Sequence, residues 1–259
     1  MPGSLDEAFA GAGRMKPWPV LAATVFALFL WQAIVSLTGL PKFILPGPVI
    51  VAQAWWDNLA VIAENTLVTA AEVLIGLVIG VALGVLTALH LATSRTARLL
   101  VQPILVFTQA LPVFALAPIL TLWLGFGLWS KIAMAVLIIY FPVTASFFDG
   151  LMRTPQGYLD LARTMQATPL RVLWHIRVPA ALPSLASGIR LAAVYAPIGA
   201  VIGEWVGASR GLGYLMLLAN GRAKTDLMFA AMLTLGVFSV LLHLVVRRLT
   251  RDLGRHVRS

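Results

Sequence analysis

Two acidic side chains and one serine motif are the groups in this sequence whose type and setting could do chemistry. Glu72 and Glu204 both fall inside long apolar runs, where an ionisable group is costly and is a functional candidate by default. Each has two readings: a residue close enough to an interface to be hydrated or paired, or a contact to a passing ligand. The stretch Gly207-Ala208-Ser209-Arg210-Gly211 fits G-x-S-x-G, a nucleophile motif that needs a strand-turn-helix setting with an acid and a histidine. Here it follows an apolar helix, and His243 is expected near the opposite face, so the hydrolase context is missing and no catalytic residue is assigned. The four histidines, His90, His175, His243 and His256, include no pair at helical ligand spacing, and there is no cysteine. No metal site is expected from that inventory. The phosphate-cradling loop G-x-x-x-x-G-K-[ST] does not occur, since the glycines and lysine of 125–131 are wrongly spaced.

The elements that must position these groups follow from composition. The chain has 259 residues, 60% hydrophobic and 11% charged, with a mean hydropathy of +0.91. Soluble domains carry about 25% charged residues, so there is too little charge here to coat a water-facing surface. At about 20 residues per span the length allows up to about eight membrane helices and leaves no room for a separate catalytic domain. Net charge is +9, from 19 Lys+Arg and 10 Asp+Glu. In a membrane chain this reflects basic loops on the cytoplasmic side and not a nucleic-acid surface.

Six apolar runs are long enough to cross a bilayer: 18–37, 66–91, 99–124, 132–148, 185–206 and 227–246. A loop with Pro41, Pro46 and Pro48 and an amphipathic stretch at 49–56 follow the first. Placing both termini inside puts Arg14, Lys16, Arg95, Arg98, Arg153, Arg163, Arg171, Arg177, Arg190, Arg247, Arg248, Arg251, Arg255 and Arg258 on the cytoplasmic side. Lys42, Lys131, Arg210, Arg222 and Lys224 are left outside, fourteen against five, and this bias sets the orientation. The expected fold is an all-α polytopic membrane protein. Its parts are an N-terminal segment (1–17), a transmembrane domain (18–249) containing a cytoplasmic loop (149–183), and a basic tail (250–259).

Within the spans, Gly76, Gly80 and Gly84 recur every four residues and line one helix face for close packing against another backbone, or for a pathway. Pro103, Pro112 and Pro118 interrupt the third span. Irregular backbone at that depth is either a simple kink or the wall of a wet cavity. Gln109, Tyr140 and Tyr195 are further candidates to face a pathway, while Arg190 is expected to snorkel to the inner face.

The 149–183 loop is too polar to cross and too patterned to be a linker. Thr154-Pro155 and Thr168-Pro169 are both helix-start signals, Thr as N-cap and Pro in the first turn. They predict helices over 156–165 and 170–178, joined by a turn at Gln166-Ala167, with Pro179 and Pro183 ending the second. Leu159, Ala162 and Met165 are read as sharing a face, and Asp160 and Arg163 as an i,i+3 pair. Such a short amphipathic helix lies on lipid or docks in a partner's groove.

The run Leu159-Asp160-Leu161-Ala162-Arg163-Thr164-Met165-Gln166-Ala167-Thr168, with Ile176-Arg177-Val178-Pro179 and Leu182-Pro183, resembles the cytoplasmic EAA loop of binding-protein-dependent ABC importer permeases. The family's Glu-Ala-Ala stands here as Asp160-Leu161-Ala162, and its turn glycine as Gln166. Further runs resemble the nitrate, sulfonate and taurine branch: Phe43 to Pro48, Leu111 to Pro118, Trp123 to Gly127, Ser130-Lys131, Phe141-Pro142, Gly203-Glu204-Trp205 and Gly211 to Tyr214. Phe148 to Leu151, Tyr158 to Met165 and Pro197 to Trp205 are most similar to permeases for hydroxymethylpyrimidine, a thiamine precursor.

The resemblance implies a permease subunit in a bacterial cytoplasmic membrane that is not itself an enzyme, with ATP bound by a partner subunit. It implies an external solute-binding protein, a second permease chain in a homodimer and surrounding lipid. Asp160, Leu161, Ala162, Arg163, Met165, Gln166 and Ala167 become the residues that transmit motion from the ATPase. The carried solute would be hydroxymethylpyrimidine or a sulfonate. The competing class is an ATP-independent carrier or channel, whose expected internal repeat is not found between 18–124 and 132–246.

Overall fold

The computed structural model describes residues 17–254; the expectations placed on Arg14, Lys16, Arg255, His256 and Arg258 lie outside these. In chain order the helices are α1 (Pro17–Thr38), α2 (Pro48–Asp57), α3 (Leu59–Thr93), α4 (Arg95–Ala110), α5 (Val113–Leu124) and α6 (Leu128–Met152). After them come α7 (Gln156–Thr164), α8 (Pro169–Val172), α9 (Val178–Gly207), α10 (Leu212–Gly221) and α11 (Thr225–Leu249). Among the described residues five helices are long and apolar enough to cross a membrane; α4 and α5 pass the same test only together and are bent by 103°, the geometry of a broken span or a re-entrant loop.

That bend places the interruption expected within 99–124 at one of its three prolines. The break falls at Leu111-Pro112, where both residues leave the helical region with ψ of 127° and 109°. The proline withholds a backbone donor and disfavours helix in the residue before it. Pro103 and Pro118 stay inside α4 and α5.

The second loop helix is corrected. It spans only Pro169–Val172, passes through a π turn at Leu173–Arg177 and runs on into α9, so that Pro169–Gly207 is one stretch of 39 residues. Pro179 does not stop it, because it follows closely on the π turn, whose wider backbone ring accommodates the proline and its missing N–H. Pro183 lies inside the same helix.

Large apolar side chains such as Leu67, Val78, Leu86, Val237 and Leu241 point outward, while the buried face of α9 is built from Ala181, Ala186, Ala192, Ala193, Ala196 and Ala200. This is the pattern of a bundle in lipid, where no hydrophobic gradient drives helices together and small residues win by letting backbones approach. On α3, Gly76, Gly80 and Gly84 face Ala135, Ile139 and Val143 of α6, and a Cβ on any of them would come within 2.9 Å of those side chains. Rising numbers meet rising numbers, so α3 and α6 run parallel. Gly188, Gly199 and Gly203 of α9 meet Ser146, Ala135 and Lys131 in reverse order, so α9 runs antiparallel to α6. At the end carrying the α6–α9 connection, the Arg190 Nε donates to Thr250 Oγ1 at 3.2 Å, an internal partner where snorkelling was expected.

The seam makes a direct prediction. Gly80→Ala places a methyl on Ile139 and destabilises the purified protein by the overpacking cost of about 1–3 kcal/mol, read as a lowered thermal midpoint. In an Ile139→Ala background the same change should be close to neutral, whereas equal costs in both backgrounds would show that the contact is not what limits position 80.

Candidate functional site

The turn between α7 and α8 is fixed by backbone bonding. Met165 closes α7 and Gln166 takes φ of 56°, the left-handed conformation. The Gln166 N–H donates to the Arg163 carbonyl and the Ala167 N–H to the Ala162 carbonyl, each at 2.9 Å. These are the paired bonds of a Schellman stop, for which glycine is the usual residue; a side chain there costs on the order of 1 kcal/mol. Arg163 Nη1 bonds Asp160 Oδ1 at 3.0 Å, and Thr168 Oγ1 accepts from the Arg171 N–H at 3.4 Å. Thr154 does not cap α7: its hydroxyl donates to the Leu151 carbonyl at 3.2 Å, and Pro155 holds the cap position without a side-chain bond.

The apolar faces of α7 also differ from expectation. Steps of three residues drift backwards by about 60° each, so Met165 has rotated off the face of half-buried Leu159 and buried Ala162. It joins Tyr158 and Leu161 in a second set whose exposures run from 59% to 73%. An ordered turn thus presents three bare apolar side chains beside the Asp160–Arg163 pair.

At the other end of the bundle the structure brings Glu72 and Glu204 together and adds a residue that composition placed outside. Lys131 sits in the first turn of α6, buried, with Nζ 3.5 Å from Glu72 Oε1. It was counted as an external loop charge because it immediately precedes the apolar run. Glu204 accepts from the Thr69 hydroxyl at 2.6 Å and from the Gly213 N–H, while Thr69 Oγ1 accepts from the Leu212 N–H at 2.8 Å and Asn65 Oδ1 from the Gly211 N–H at 2.7 Å. The carboxylate therefore lies on the N-terminus of α10, whose free N–H groups and dipole favour a negative charge. Gly211 has φ of 115°, and a Cβ there would meet the Glu204 carboxyl. Both Glu72 oxygens, by contrast, accept no hydrogen bond among the described residues. Sequence reasoning missed Asn65, Thr69 and Lys131; a lone lysine three residues into a helix that then turns apolar was the available signal.

The remaining candidates lie apart from this cluster. The Tyr140 hydroxyl bonds Thr87 Oγ1 at 2.8 Å, tying α6 to α3. Tyr195 lies on the exposed side of α9, and Gln109 is exposed on the last turn of α4. Ser209 is exposed in the α9–α10 turn, whereas His243 lies 18 residues into α11, about 27 Å along its axis.

Comparison with known proteins supports a specific family. Residues 80–259 match the family described as binding-protein-dependent transport system inner membrane component. A probable ABC transporter permease protein of Haemophilus influenzae is 51% identical over 87% of this chain and 91% of its own. The formylaminopyrimidine transport permease protein ThiX of Halalkalibacterium halodurans is 34% identical over 90% of this chain and 95% of its own. In fold, the chain is similar to a structure titled as an inward-facing conformation of the MetNI methionine ABC transporter, with a TM-score of 0.58 at 21% identity over 80% of this chain and 97% of that one.

The Glu72–Lys131 contact can be tested for energetic weight. Lys131→Met strands a buried carboxylate and should destabilise the protein by about 3–5 kcal/mol, while Lys131→Met combined with Glu72→Met should recover most of the loss. Thermal unfolding in detergent reads both, and a double variant no better than the single one would mean the pair is not coupled.

Proposed function

The chain belongs to the binding-protein-dependent inner membrane components and is the permease subunit of an ABC importer, and we propose that the α7–α8 turn is where the ATP-binding subunit grips it. Permeases of this family work with an ATP-binding subunit and a solute-binding protein. The observation that carries the assignment is the ordered turn at Gln166, which projects Tyr158, Leu161 and Met165 bare of any cover. Surface chains rarely leave three such side chains adjacent, and an apolar helix face of this size suits a partner's groove. On this reading Asp160, Leu161, Ala162, Arg163, Met165, Gln166 and Ala167 transmit motion, with the Asp160–Arg163 pair setting the sign of charge at the contact.

The wider assembly follows from the same reading. The α6–α9 connection and both termini face the cytoplasm, as the distribution of arginine favours. Residues 18–249 form the transmembrane domain around the 149–183 loop. ATP binds the partner and not this chain, which lacks G-x-x-x-x-G-K-[ST]. Two copies pair, because one bundle supplies half of a pathway; the exposed side of α9 with Tyr195, and the polar side of α4 with Gln102 and Gln109, suit its lining. Glu72 and Glu204, tied to Lys131 and α10, hold the outer end shut or open as a unit rather than touching solute. The solute is a small pyrimidine, in line with the formylaminopyrimidine permease among its relatives.

The decisive variant is Asp160→Arg, which inverts charge on an exposed surface without touching the bundle. Tagged wild type solubilised from native membranes should bring down an ATP-binding subunit, and the variant should lose it together with at least tenfold of the ATP-driven uptake. Normal uptake by a well-expressed Asp160→Arg protein would sink the assignment.

A further inference from the structure

Between α4 and α6, with Leu91 of α3 in its lining, lies a partly open cavity of about 250 Å³, at whose rim Gln102 and Asp149 are exposed. Phe141 and Phe148 supply aromatic faces, and the polar groups are the Gln102 carboxamide, the Thr144 hydroxyl and the Asp149 carboxylate. Thr144 is 1% exposed, and its hydroxyl donates to the Tyr140 carbonyl at 2.8 Å, which leaves the oxygen free to accept from inside the cavity. The Gln102 side chain makes no hydrogen bond among the described residues. A carboxamide at membrane depth is not left to lipid. It shares one face of α4 with Arg98 and Gln109, and that polar face explains why this helix departs from the apolar pattern of the other spans.

We propose that this cavity binds the solute in transit, and that its ligand is a single uncharged, nitrogen-containing aromatic ring with donor and acceptor atoms on one edge. The inference rests on the permease reading above and specifies the site within it. Offset stacking on Phe141 and Phe148 holds a flat ring by its faces. Glutamine presents a donor and an acceptor side by side, the pattern that matches an aminated ring nitrogen edge. Thr144 accepts from an exocyclic N–H or O–H group, and so does the Asp149 carboxylate, whose Oδ2 also faces Arg153 Nη2 at 3.7 Å. At about 30 Å³ per liquid water the volume equals on the order of eight waters, room for one ring with short substituents. A sulfonate is the competing ligand that the test separates. The Asp149 carboxylate disfavours it, whereas Arg153 lies 3.7 Å from that carboxylate. Arg98, lining the adjoining groove with its Nη1 on the Met152 sulfur at 3.8 Å, has a buried Nε without a hydrogen-bond partner among the described residues.

The test uses the permease purified with its ATP-binding subunit, reconstituted with the solute-binding protein, and radiolabelled formylaminopyrimidine and taurine as probes. Wild type should take up the pyrimidine with ATP. Gln102→Leu should weaken equilibrium binding of the pyrimidine to the complex about ten- to thirtyfold, the loss expected for two hydrogen bonds, without changing assembly with the ATPase. Phe148→Leu, which keeps the apolar bulk and removes the aromatic face, should weaken it as well. Undiminished pyrimidine binding in both variants overturns the cavity assignment while leaving the permease reading intact. ATP-driven uptake of taurine in place of the pyrimidine overturns the substrate reading itself.

Discussion

Everything in this bundle depends on how closely three backbones approach at Ala135. This fully buried residue of α6 is met from one side by Gly76 of α3 and from the other by Gly199 of α9, and an added Cβ on either glycine would come within 2.8 Å of it. In lipid there is no solvent to drive such contact, so dispersion between closely fitted surfaces has to hold the helices together. That explains the alanine and glycine where α9 packs on α6, and the glycines of α3 that receive Ile139 and Val143, beneath an exterior rich in leucine, valine and phenylalanine. Enlarging the interior residues would separate the three helices rather than strengthen them.

The same closeness makes the buried charges tolerable. Lys131 reaches Glu72 only because α3 and α6 are in register, and its stem lies against the space that Gly203 leaves open. Glu204 is differently placed: with Thr69 and the start of α10 it is well bonded, whereas Glu72 depends on one lysine. A buried ion pair contributes little net stability, yet removing one partner is costly because it strands the other charge. The spacing Gly211-Leu212-Gly213 is what lets the chain turn onto the Glu204 carboxylate, since side chains at 211 or 213 would occupy the space of its oxygens.

The class of fold was legible because composition and six apolar runs speak directly to membrane spans, and the helix-turn-helix of the loop because capping and turn residues are local signals. Thr168 capped α8 as its sequence suggests, and Gln166 took the left-handed turn that its place in the motif demands. What was illegible depended on distance or continuity. Nothing local in Ser130-Lys131-Ile132 says that Lys131 meets Glu72, 59 positions earlier in the chain. Pro179 and Pro183 read as stops by local rules, yet packing against α6 sustains the helix through both. Met165 was misplaced for a geometric reason: spacing by threes approximates a helix face only over two steps.

Continuity of the chain from the turn to the buried charges has a mechanical consequence. Pro169–Gly207 covers 39 residues, about 58 Å at 1.5 Å per residue, and ends within three residues of Glu204. Both helices that leave the loop, α6 and α9, are locked to each other and to α3 by backbone-close contacts. On the proposed reading, a displacement applied at Gln166 would be carried by the three helices as one body, because sliding any of them would force glycine sites onto neighbouring side chains. Deformation must occur where such contacts are lacking. The joint between α4 and α5, bent by 103° with no helical bond across Pro112, separates α5, which Gly207 of α9 meets at Thr121, from α4, which among the described residues no such glycine contact ties to the bundle and whose polar face lines the cavity.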